Sequence, residues 1–121
     1  MHKNFSIHLL SMEKPVVKRI IEEALKSWEY ALDSAEYFIE TYKEEGEFGY
    51  LFVGLIEAMQ VVNDTSSGSI YHTLMDSYQL KEKYERDFVR LWAKAKELRI
   101  LAQQEIDNLF FKRKKNLSSK P

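Results

Sequence analysis

From Val17 to Tyr42 the apolar residues recur alternately four and three positions apart: Val17, Ile21, Ala24, Trp28, Ala31, Ala35, Phe38 and Tyr42. A helix completes a turn in about 3.6 residues, so this spacing holds all of them on one stripe, whereas a strand would scatter them over both faces. Leu25, Leu32 and Ile39 repeat beside the stripe and widen it, and Glu22, Lys26, Glu29, Asp33, Glu36 and Glu40 occupy the opposite face. The pattern predicts a helix over 13–45, about 48 Å long at a rise of about 1.5 Å per residue. Ser11 is placed to cap it, Pro15 fits its first turn, and Gly46 supplies its stop.

The next segment, 48–63, is apolar almost all round and reads as a helix that must be covered on most sides. Its thin polar line is Glu57, Gln60 and Asp64, which predicts that Glu57 faces solvent. Gly54 and Ala58 form a small face, as do Ala31 and Ala35 on the first helix. The two small faces lie at similar distances from the turn at 46–47, so they are expected to meet in a close antiparallel hairpin. Asn63 to Ser69 (NDTSSGS) is a turn cluster. From Ser69 to Asn116 there is neither Gly nor Pro, and the apolar phase runs Ile70, Leu74, Tyr78, Tyr84, Phe88, Leu91, Ala95, Leu98, Ala102, Ile106, Leu109, with Lys81 out of place. The fold expected is all-α: an antiparallel bundle of three long helices, or four if the last segment bends near 79–83. It divides into an N-terminal segment (1–12), a bundle (13–111) and a basic tail (112–121).

The 121 residues suffice for one domain with its own core. With no cysteine, disulfides and thiolate metal sites are excluded. Met1–Met12 is too broken for a signal-peptide core, and the most apolar window, 48–62, carries Glu57 and Gln60, so no membrane association and a cytoplasmic location are expected. Lys (13) and Glu (14) dominate the charged residues, a bias shared with thermophile proteins.

The second helix is shorter than the first and would cover only the half nearest the turn. The uncovered stripes, Val17, Ile20, Ile21, Leu25 and Trp28 on the first helix and Phe88, Leu91 and Trp92 on the last, then need another cover. The candidates are the N-terminal segment (Phe5, Ile7, Leu9, Leu10), a folded-back short helix, or a second copy of the chain. Two-fold dimers are the commonest oligomers, so these eight residues are the expected homodimer interface, in a non-enzymatic interaction or scaffold protein that works as a homodimer or as a subunit with another protein.

Charge is divided along the chain. Residues 1–80 carry 6 Lys/Arg and 13 Asp/Glu, a balance of −7, and residues 81–121 carry 12 and 6, a balance of +6. One consequence would be a nucleic-acid-binding face made of Lys83, Arg86, Arg90 and Lys94 with Lys112, Arg113, Lys114 and Lys115. The simpler reading pairs the acidic first helix with the basic last one, and a net charge of −1 favours it.

Catalytic patterns are missing. His72 and Asp76 share a helical face, but no third metal ligand is placed beside them. Ser69 lies near both without a nucleophile elbow. There is no Glu-x-x-His pair of the di-iron bundles, and Gly49–Gly54 lacks the Lys-Ser/Thr of a phosphate loop. No cofactor, metal or catalytic residue is expected. A ligand- or metal-binding bundle, with a pocket near Glu57 and His72, is the remaining alternative.

The order of a long amphipathic helix, a glycine-bearing turn (EEGEFGY, 44–50) and an apolar helix resembles HEPN-type helical domains. The ribonuclease members of that group carry an Arg shortly before a His. No Arg here precedes a His at that spacing, so the resemblance implies a helical fold and no activity.

Overall fold

The computed structural model describes the backbone of residues 12–118 and the side chains of 12–112. Four helices account for nearly all of it: α1 (Lys14–Glu45), α2 (Phe48–Thr65), α3 (Ile70–Ser77) and α4 (Lys81–Ser118). The all-α bundle expected from the periodicity is the fold observed.

The ends of α1 follow local chemistry. Pro15 lies in its first turn, where a missing N–H leaves no bond unmade. Ser11, the expected cap, lies outside the described residues, and Glu13 holds the cap position without a side-chain bond. Gly46 ends the helix in the left-handed conformation (φ 77°), its N–H bonded to the Tyr42 carbonyl at 2.7 Å.

α2 returns antiparallel to α1, and Gly54 sets how closely they approach. A Cβ added at Gly54 would lie 3.1 Å from the Ala35 carbonyl oxygen and 2.9 Å from Ile39 Cγ1. The expected contact of small faces is therefore present at Gly54 and Ala35. α4 runs parallel to α1, since Glu29 meets Arg90, Asp33 and Glu36 meet Lys94, and Glu40 and Lys43 share a cavity wall with Glu97 and Leu101.

The last segment does break, at 78–80, by a route its composition hides. The Leu80 N–H bonds the Met75 carbonyl and the Gln79 N–H bonds the Asp76 carbonyl, which is the paired-bond ending that usually places glycine in the left-handed position. Here that position is Gln79, at φ 57°. Leu80 follows it into the core and is 3% exposed. Its burial offsets the strain at Gln79. Replacing Gln79 with Gly should stabilise the protein by about 0.5–1 kcal/mol, because glycine meets no Cβ clash in this region. Urea unfolding would show it, and a lower midpoint would contradict the account.

The expected interface between copies is corrected by this packing. Val17, Ile21, Trp28, Phe88 and Leu91 are buried within a single chain. Ile20, Leu25 and Trp92 are half-buried against the same core. α3, one of the three candidates, supplies part of the cover at Trp28. This short helix folds beneath the open end of the bundle, burying Leu74 and Met75, and sets the Tyr71 ring edge-on to Trp28 at 5.0 Å. Trp28 also meets Phe88 edge-on at 5.3 Å, and Lys96 lies over the Trp92 ring at 4.6 Å. The N-terminal segment, residues 1–11, lies outside the described residues.

α4 continues as helix to Ser118, into the segment 112–121 read from the sequence as a basic tail.

Candidate interaction surface

The second helix does not lie as its composition suggests. Two members of its polar line, Glu57 and Asp64, are turned toward α1 instead of outward, while Gln60 stays exposed. Glu57 Oε1 accepts a bond from Ser34 Oγ at 3.2 Å, and Asp64 Oδ2 accepts one from Trp28 Nε1 at 3.2 Å. Glu57 is thus half-buried, contrary to the exposed position expected, and its Oε2 is buried with no partner among the described residues. The helix–helix seam offers a hydroxyl and an indole N–H to these carboxylates, which a wholly apolar seam would not.

Turning Glu57 and Asp64 inward leaves apolar residues outside. α2 buries Leu51, Gly54, Leu55, Ala58, Val61, Val62 and Thr65 on one side. Its exposed positions are Phe48, Gly49, Phe52, Val53, Ile56, Met59, Gln60 and Asn63, none of them charged. Phe48, Phe52, Ile56 and Met59 form a continuous stripe with Val53 beside it, and these five are 39–49% exposed. The Phe48 and Phe52 rings stack with centroids 6.2 Å apart. In a chain that is 31% charged, a helix face about 24 Å long without a single charge stands apart from the rest of the surface.

The surface continues at the turn end. Lys43 and Leu101 line one cavity, so the 46–47 turn lies about level with residues 103–105 of the parallel α4. Ile106 is the last buried residue there, and every position from Asp107 to Lys112 is exposed. The remaining residues to Ser118 carry the helix about 18 Å past the turn. Leu109, Phe110 and Phe111 are 37%, 60% and 68% exposed on this projection. Directly below it the turn presents Glu44, Glu45 and Glu47, all exposed, and none is ion-paired among the described residues. Glu45 raises the pKa of the neighbouring Tyr50 phenol, with desolvation and Glu47 acting in the same direction.

The basic residues of α4 are divided between two situations. Arg90 meets Glu29 at 2.7 Å and Asp87 at 3.4 Å, and its pKa is raised, chiefly by the Glu29 bond. Lys94 meets Asp33 at 3.7 Å and Glu36 at 3.5 Å. These two therefore answer the acidic face of α1. Lys83 lies over the Tyr84 ring at 5.3 Å, while Arg86 is exposed with no ion pair among the described residues. Lys112 is exposed in the same way, and the side chains of Arg113, Lys114 and Lys115 lie outside those described.

Glu57 and His72 are not brought together. His72 Nδ1 lies 3.3 Å from Asp76 Oδ2, and the imidazole lines a 330 Å³ cavity with Ser67, Glu85, Phe88 and Trp92, in whose wall Glu57 has no part. Among the described residues no cluster of three or more His, Cys, Asp or Glu could hold a metal ion, and no helix is long and apolar enough to cross a membrane.

Sequence reasoning missed the outer face of α2 because it assumed that so apolar a helix would be covered. The available signal was that Glu57 and Asp64 sit on the side of Gly54, which close packing directs toward α1. No family model matches the chain, and no curated protein or solved structure matches it either.

Proposed function

We propose that this protein is a non-enzymatic helical interaction subunit that associates with a second copy of itself through the outer face of α2. The observation that carries this reading is the uncharged stripe of Phe48, Phe52, Val53, Ile56 and Met59. A face without charges meets its own copy across a two-fold axis with no like charges opposed and no unpaired charge desolvated, and this one carries none. Burying the stripe removes roughly 400 Å² of apolar surface per copy, taking about 200 Å² for a whole large side chain. That is about half of the roughly 800 Å² each partner contributes to a standard stable interface, so the face supplies an apolar centre and needs a surround.

A nucleic-acid reading draws less support, because Arg90 and Lys94 are engaged by carboxylates of α1.

The test is sedimentation equilibrium of the full chain beside Ile56→Asp and Phe52→Asp. Both residues are exposed, so the variants should keep the helical circular dichroism and thermal midpoint of the unassociated chain. Each should weaken association at least tenfold, since a carboxylate would be desolvated in the centre of the interface. A full chain that remains a monomer near 100 µM, or variants that associate like the parent, would end this reading.

A further inference from the structure

We infer that the cavity between the end of α2 and the start of α4 is a binding site for a small aromatic amine, a single ring carrying a protonated nitrogen on a short linker. The site goes beyond the self-association proposed above and does not depend on it. It lies at the Thr65 end of α2, and that helix is about 25 Å long from Phe48 at its other end.

The first argument is shape. Glu85, Phe88, Val89 and Trp92 are spaced three, four and seven positions along α4, so one face of that helix forms a wall about 10 Å long. The residues where α2 ends, Thr65 to Ser67, supply a second wall, and His72 enters from α3. The His72 ring lies edge-on to Phe88 with centroids 6.2 Å apart, so a ring entering beside Phe88 and Trp92 meets aromatic surface from two helices. The volume is 330 Å³, at the small end of the range for ligand sites, which suits one ring and a short chain rather than a nucleotide or a peptide.

The second argument is chemical. Glu85 brings a carboxylate to the cavity, and no Lys or Arg lines it among the described residues. Lys81 meets only Oε1 of that carboxylate, at 3.7 Å. His72 Nδ1 lies against Asp76 Oδ2 at 3.3 Å, and a neutral imidazole that donates from Nδ1 keeps Nε2 as an acceptor. The hydroxyls of Thr65 and Ser66 already donate to the Val61 and Asn63 carbonyls, at 2.7 and 2.9 Å. What remains for a guest is a carboxylate, an imidazole nitrogen and the Ser67 hydroxyl. A guest that donates hydrogen bonds and carries positive charge answers these groups. An anion would oppose Glu85 with no cation in the wall. A wholly apolar guest would desolvate both acceptors without replacing their hydrogen bonds. A metal ion would find no third His, Cys, Asp or Glu ligand among the described residues.

The test is a proton–nitrogen correlation spectrum of the full chain, titrated with 2-phenylethylamine to about 5 mM. The chain has two tryptophans, and the indole signal of Trp92 is the one lost in Trp92→Phe. That signal should shift saturably, with half-saturation at or below about 1 mM, which a ligand of this size can reach. The signal of Trp28, which does not line the cavity, should move far less. Phenylacetate, with the same ring and the opposite charge, should leave both signals in place. Ethylamine, which lacks the ring, should need at least tenfold more. Glu85→Gln changes a half-exposed side chain, so it should keep the parental circular dichroism and weaken the amine about fivefold. A Trp92 signal unmoved at about 5 mM amine would overturn the site. Phenylacetate binding as tightly as the amine, or an unchanged half-saturation in Glu85→Gln, would do the same. Ile56→Asp separates this site from the α2 face: it should bind the amine as the parent does, whatever its state of association. Loss of binding in that variant would put the guest between copies and overturn a cavity that works within one chain.

Discussion

Gly54→Val should destabilise the protein by about 3 kcal/mol, at the upper end of ordinary overpacking costs. Helix propensity alone predicts the opposite sign, since glycine inside a helix is worse than most residues by about 1 kcal/mol. Packing decides because a new Cβ would meet the Ala35 carbonyl oxygen at 3.1 Å, and that atom belongs to the backbone of α1. Ile39 Cγ1, at 2.9 Å, could turn aside only into surroundings that leave this residue 2% exposed. The two helices would have to separate, which would lengthen the Ser34–Glu57 bond as well. Gly54→Ala should fall between valine and the parent. Urea denaturation at fixed protein concentration gives the comparison, and a valine variant as stable as the parent would show that the hairpin is looser than described.

Trp28→Ala should cost about 3–5 kcal/mol, the range for removing a large aromatic from a core. Trp28 is 4% exposed, lies edge-on to both Tyr71 and Phe88, and donates to Asp64. Its removal opens a cavity where α1, α3 and α4 meet and leaves the Asp64 carboxylate without its indole partner. The loss should be the same at low and high protein concentration, because the site lies inside one chain. A loss that vanished on dilution would return Trp28 to an interface between copies. The contrast with Ile56→Asp is direct: one substitution should unfold the chain without regard to association, and the other should disperse copies without unfolding them.

The helices were legible because their evidence is local. The spacing of Val17 through Tyr42 required α1, Gly46 marked its end, and the small residues Gly54 and Ala35 announced a close crossing. The break before Lys81 was legible only as a fault in the apolar phase. Its mechanism was hidden, since Gln79 occupies a backbone conformation normally assigned to glycine and depends on the burial of Leu80.

What the amino-acid order determined unaided was the set of helices, the absence of thiolate chemistry and the division of charge between an acidic first helix and a basic last one. Those follow from periodicity and composition, which involve only neighbours along the chain. Which apolar stripe becomes core was decided by the tertiary structure, because burial depends on what arrives from elsewhere. α3 folded under the open end and set Tyr71 against Trp28, while Ser34 and Trp28 drew Glu57 and Asp64 of α2 inward. With Glu57 and Asp64 turned toward α1, Phe52 and Ile56 had only the outside left to occupy.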